Sequence, residues 1–261
     1  MKHLIPLVAA GIGLALVNGS AHADQTYVFG TVGYGGLGDS ENEGAFTSDF
    51  TTGTGTTIPL GTPLPSGTPV AWESEFDGAL AFAAGFGRHF GDGFRAELEL
   101  GFQANDVETH NNVKAAGLNL TDEDAAVLIS GSPALGATVG TIVAAGEGEV
   151  SNTFVMVNGY YDFREIMDGP VSPYVGAGIG VSNVKVEFSP SGVGIIDDSQ
   201  TVFSWQLMGG LNWDVEENMT LYAGGRYRAT GDVEVDIDLF PAALEIENRG
   251  MLFEVGLRYR F

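Results

Sequence analysis

Among its 261 residues the chain has no cysteine, few bases and no long apolar run. The missing cysteine rules out a disulfide framework and any thiolate metal site. Lysine and arginine total 11 against 34 aspartates and glutamates, a net charge of −23. That balance excludes nucleic acid as a partner and direct attraction to anionic headgroups. The longest apolar stretch, Leu4–Val17, has 14 residues, short of the ~20 that a spanning helix needs. It follows Lys2 and His3 and precedes Ala21-His22-Ala23, a small-x-small cleavage site. Residues 1–23 therefore read as an export signal and residues 24–261 as the mature chain. Without an apolar helix, insertion into a membrane requires a closed barrel, the other structure that satisfies its backbone in lipid.

What the chain does have is alternation. From Met251 every second residue is apolar: Met251, Phe253, Val255, Leu257, Tyr259, Phe261. Between them stand Leu252, Glu254, Gly256, Arg258 and Arg260. A period of two puts the sets on opposite faces of a strand, whereas a helix would scatter the arginines among the apolar residues. An unbroken apolar face backed by charge is the dyad pattern of a transmembrane barrel wall. Glu254-x-Gly256-x-x-Tyr259-x-Phe261 resembles the C-terminal sorting signal of bacterial outer-membrane barrels, which implies recognition by the barrel-assembly machinery.

Seven more strand patterns precede this one: Gln25–Gly36, Phe76–Phe90, Phe94–Asn105, Asn152–Phe163, Val171–Lys185, Thr201–Val215 and Asn218–Thr230. The first has an ambiguous register, since Tyr27, Phe29, Val28 and Val32 fall on both faces. The third is the clearest, with Phe94, Ala96, Leu98, Leu100 and Phe102 opposite Arg95, Glu97, Glu99, Gly101 and Gln103. Connections alternate in length. Gly91–Gly93, Arg164–Pro170 and Glu216-Glu217 are short, while Leu37–Glu75, Asp106–Ser151, Val186–Gln200 and Gly231–Glu247 are long. The fold class is therefore an all-β, eight-stranded antiparallel up-and-down barrel with short periplasmic turns and long extracellular loops. A soluble barrel would place its apolar side chains inside.

The mature chain, and Pro173–Ser182 in particular, resembles the OmpA-like, opacity and surface-antigen family of eight-stranded barrels. The resemblance implies a location in the outer membrane of a Gram-negative bacterium, with lipid and lipopolysaccharide around the barrel and loops facing the medium. No peptidoglycan-binding domain is expected after Phe261.

Eight strands leave a lumen just wide enough for side chains. The inward set includes Arg95, Glu97, Glu99, Arg226, Arg228, Glu254, Arg258 and Arg260. Unpaired buried charge is costly, so these are expected as matched ion pairs with water, Arg226 pairing with Glu254. Glu97 and Glu99 are placed at about the depth of Arg258. Either a structural polar plug or a gated low-conductance pore fits such a set. The long connections hold nearly all of the acid. Asp232, Glu234, Asp236 and Asp238 alternate on one face, a weak oxygen set for Ca²⁺ or Mg²⁺ without a glycine-turned calcium loop. No metal or cofactor is expected, and a solvated acidic rim is the simpler reading. Thr121-Asp122-Glu123-Asp124 ahead of Ala125–Ile129 reads as a helix start capped by Thr121.

Catalysis would need histidine with serine or aspartate near the rim. Only His89, beside a periplasmic turn, and His110, in the second long connection, follow the cleavage site, and neither stands in a recognisable serine pattern. The expected function is thus a non-enzymatic surface protein meeting the environment or an unidentified partner through its loops. A small porin is the alternative; a lipid-modifying enzyme is a more distant one.

Overall fold

A computed structural model of the chain describes residues 26–90, 93–167 and 169–261. The segment read as an export signal, Asp24, Gln25 and the start of the Gly91–Gly93 turn lie outside those residues.

Eight strands form the membrane barrel: β1 (Thr26–Leu37), β2 (Ala79–Phe90), β3 (Phe94–Ala115), β4 (Gly148–Asp162), β5 (Val171–Phe188), β6 (Ile196–Glu216), β7 (Met219–Thr230) and β8 (Arg249–Arg260). Each pairs antiparallel with its neighbours in sequence. β1 closes the ring on β8, with Tyr27 opposite Arg260 and Tyr34 opposite Phe253. That closure leaves no edge in the lipid.

The lower barrel is inside-out. Phe82, Phe94, Leu100, Ile179, Leu207 and Phe253 are among the exposed apolar side chains, while Arg95, Glu97, Glu99 and Arg226 are buried. On β3 the outward set runs from Phe94 to Phe102, about 27 Å along a strand. At the usual barrel tilt of about 40°, that gives a lipid-facing band of about 20 Å. Aromatic rings mark both rims: Phe94, Tyr161 and Phe163 stack edge to face near the periplasmic turns, and Trp205 leans on Tyr227 at the other rim. The ambiguous first strand resolves with Tyr27 and Phe29 facing inward and Val32 and Tyr34 facing lipid.

Above the membrane the pattern inverts. β3, β4, β5 and β6 run well past the expected boundaries at Asn105, Asn152, Lys185 and Thr201. Their inward residues become Val107, Val113, Val184, Val186, Phe188 and Ile196, all buried. The connections read as loops are folded too. Ser40–Phe46, Pro69–Phe76, Val233–Asp236 and Ala242–Ile246 are strands that pair with one another and, through Pro69–Phe76, with β3. They share one apolar core that includes Phe46, Trp72, Phe188, Val235 and Leu244. In water the apolar face must turn inward, and in lipid outward; one strand obeys both rules at different heights. The protein therefore carries an extracellular head with a core of its own.

Among the described residues three short helices complete the head, Ala125–Leu128, Val139–Val143 and Pro190–Gly192, and none begins at Thr121. The first, the 3₁₀ turn Ala125–Leu128, is capped by Asp124, which accepts from the amide of Ala126 at 2.9 Å. The second, Val139–Val143, is capped by Thr138. Asp124 also binds the amides of Leu135 and Gly136, and its carboxyl is held below the usual range by these amide donors. Glu123 instead reaches across to the amides of Thr56, Thr57 and Ile58, fastening one connection to another.

Candidate functional site: the filled lumen and the head above it

The inward polar residues form layers. At the periplasmic mouth Arg95 bridges Glu97 and Asp162, its Nε 3.2 Å from Asp162 Oδ1. Asp162, absent from the eight-residue charge set, completes this group and also accepts from Asn212 at 3.0 Å. Arg258 lies 3.6 Å from Glu97 and donates to Asn212 at 2.9 Å. Tyr27 donates to Glu97 at 2.8 Å.

The next layer is aromatic. The guanidinium of Arg95 lies 3.6 Å from the Tyr160 ring centre, and that of Arg258 lies 4.3 Å from Tyr222. Cations stacked on buried rings keep an electrostatic partner where water is scarce. The rings fit because the wall facing them is glycine. A Cβ at Gly176 would overlap Tyr160, and one at Gly256 would overlap Tyr222. Gly256 thus has a packing reason of its own, apart from any role in the terminal motif.

Above the rings Arg226 binds Glu254 at 2.9 Å through Nε and Glu99 through Nη1. Glu99 accepts from Asn158 at 2.8 Å, and Asn158 accepts from Gln206 at 2.7 Å. Gln206 takes hydrogen bonds from Arg226 and Arg228 at 2.9 and 3.2 Å. Arg228 stacks 3.5 Å from the centre of Phe154, and its Nη2 is 4.0 Å from Glu99. Glu99 therefore sits one layer above Glu97, with Arg226 rather than Arg258. Arg260 does not join the lumen pairs: it lies at the mouth and donates to the carbonyl of Glu217. Asn158, Gln206 and the tyrosines were not in the charge set, although Asn158 and Gln206 stand on the polar side of their strand alternations.

Both histidines face inward. His89 packs 5.1 Å from Tyr27. His110 lies in the head core, 4.6 Å from the Phe188 ring, and its Nδ1 is 2.8 Å from Ser74 Oγ. Ser74 takes a further hydrogen bond from Asn42. Both residues of this serine–histidine pair are buried, Ser74 at 0% and His110 at 3% exposure, so no substrate reaches them. Burial lowers the His110 pKa to about 4. Asp232 falls outside the strand, and Glu234 and Asp236 lie on its exposed side. Among the described residues no group of three or more possible ligands forms a cation cage.

A closed ring of eight strands with lipid-facing aromatics, a charged interior and a folded outer head defines an integral outer-membrane β-barrel protein. More narrowly, a family model described as "Surface antigen" matches residues 70–247, and the chain belongs to that family. The outer membrane protein PagN of Salmonella typhimurium is 34% identical over 92 residues, 33% of this chain and 38% of that protein. Major surface antigen 4 of Anaplasma marginale is 36% identical over 84 residues, 32% of this chain and 26% of that one. The matched stretches thus span well under half of either relative. The crystal structure of the outer membrane protein OprG from Pseudomonas aeruginosa aligns over 92% of this chain and 97% of that one, with a TM-score of 0.52 and 11% identity. The likeness to OprG is one of fold. The protein is placed in the outer membrane of a Gram-negative bacterium.

Proposed function

We propose that this protein is a sealed, non-enzymatic barrel whose work is done by its folded acidic head. The observation that carries this reading is the double closure of the lumen. Below, Arg226, Glu99, Glu254 and Gln206 bind one another across the bore; above, the same bore is filled by the apolar core of the head. An ion would have to cross both a layer of buried, mutually bound charges and a hydrocarbon layer. The acidic outer strands remain as the exposed working face, offered to the medium or to an extracellular ligand. Lipid and lipopolysaccharide surround the barrel, and the barrel-assembly machinery is the partner during insertion.

The test is single-channel recording of the refolded residues 24–261 in a planar bilayer. No steps above the bilayer background are expected. Reproducible steps that change in Glu254→Gln or Arg226→Gln would replace this reading with that of a small porin.

A further inference from the structure

The bases of this acidic chain are unevenly spent. Three of the eleven lysines and arginines, Arg164, Arg258 and Arg260, line one cleft at the periplasmic mouth, together with His89, Ser172, Asn212, Thr220, Asp162 and Asp214. The cleft is open to the periplasm and shallow. Its two acids are already engaged: Asp162 accepts from Arg95 and Asn212, and Asp214 accepts from Thr220 at 2.5 Å. Among the described residues no carboxylate lies within ion-pair distance of Arg164 or Arg260. Two buried nitrogens on its lining, Arg260 Nε and His89 Nδ1, have no hydrogen-bond partner there, and Arg258 Nε faces only Glu97 Oε1, at 3.6 Å, beyond hydrogen-bond reach. Arg258 is 5% exposed, so its donor is withheld from bulk water.

Buried donors are nearly always satisfied, and each exception needs an explanation. Several arginine N–H groups converging on a polar cleft match the recognition of a tetrahedral oxyanion, which accepts several charge-assisted hydrogen bonds at once. We infer that the periplasmic mouth is a binding site for a phosphate group, held by Arg258 and Arg260 with Arg164 at the rim. Free phosphate in the periplasm and the headgroup of a periplasmic-leaflet phospholipid share that chemistry. The site stands whether or not the lumen conducts.

The experiment uses residues 24–261 in maltoside micelles, with the arginine Nε resonances followed by NMR as inorganic phosphate is added. Resonances of Arg258 and Arg260 are expected to shift in a saturable way. Arg164→Gln, at the exposed rim, and Arg260→Gln, at the end of β8, should weaken binding about tenfold or more. Arg249→Gln, in the head beside Glu247, should leave it unchanged. A second arm places the protein in bilayers with and without phosphatidylglycerol. Shifts that appear only with that lipid assign the site to a headgroup, and shifts with inorganic phosphate assign it to the free anion. Absence of shifts in both arms, or equal weakening by Arg249→Gln, overturns the inference.

Discussion

Arg226 joins two carboxylates, and that makes the effect of its removal unlike that of removing either partner. In Glu254→Gln, Arg226 keeps Glu99 and Gln206, and the new amide can still accept from its Nε. The expected loss is about 1 kcal/mol, the scale of a charge-assisted hydrogen bond exchanged for a neutral one. In Arg226→Met, Glu99 and Glu254 remain buried on opposite walls, and Arg228 at 4.0 Å only partly replaces the lost cation. Breaking a buried pair in this way costs about 3–5 kcal/mol. In the double variant Arg226→Met/Glu254→Gln one of the two orphaned charges is gone, so the loss falls below the sum by about 1–3 kcal/mol. The assay is urea unfolding of the barrel in lipid vesicles, read by the lipid-facing Trp205 and Trp213. Strict additivity, or Glu254→Gln costing as much as Arg226→Met, would refute the idea of a shared cation at the centre of the network.

Three further outcomes follow from the head and the terminus. The His110 pKa is about 4 when folded against about 6.5 when unfolded, so the unfolded head binds the extra proton between those values and head stability falls as pH drops from about 6.5 to about 4; Trp72 fluorescence should show this, and His110→Phe should flatten the curve. Glu149 stands directly between Asp106 and Glu187 on neighbouring strands, and burial followed by those two charges raises its pKa, so ionisation destabilises the fold as pH rises through that raised value. Glu149→Gln should therefore stabilise the head at neutral pH by up to about 1 kcal/mol, with a gain that shrinks as salt is added; a gain insensitive to salt would count against it. Deleting Phe261, which is exposed at the end of β8, should slow insertion by the barrel-assembly machinery while leaving detergent refolding unchanged; slowed refolding would point to a packing role instead.

The lower barrel was legible because lipid and a crowded polar lumen impose opposite demands on alternate residues, as Phe94–Gln103 shows. The pairing of Arg226 with Glu254 follows from strand order and depth. The head was hidden by the same rule seen from the other side of the membrane surface. On β5 the outward residues Ile179 and Val181 are apolar, but three residues further on it is Val184, Val186 and Phe188, on the inward phase, that are buried. This change of phase looks like a pattern ending when it is a pattern changing solvent. Ser74 and His110 were illegible for a different reason: their separation of 36 residues becomes a contact only through the pairing of Pro69–Phe76 with β3. Asp162 and Gln206 hold no charge pattern of their own in sequence, and their roles come from which walls of the bore face each other.

Because β3, β5 and β6 pass without interruption from the lipid into the head, the outer surface is a set of stiff beams set in a membrane footing. An antibody or receptor that grips the head meets side chains supplied by strands far apart in the chain, such as Glu43, Glu245 and Glu234, which stand side by side. Short peptides copied from any one connection will not reproduce that relief, so an immunogen or a decoy needs the footing as well as the face.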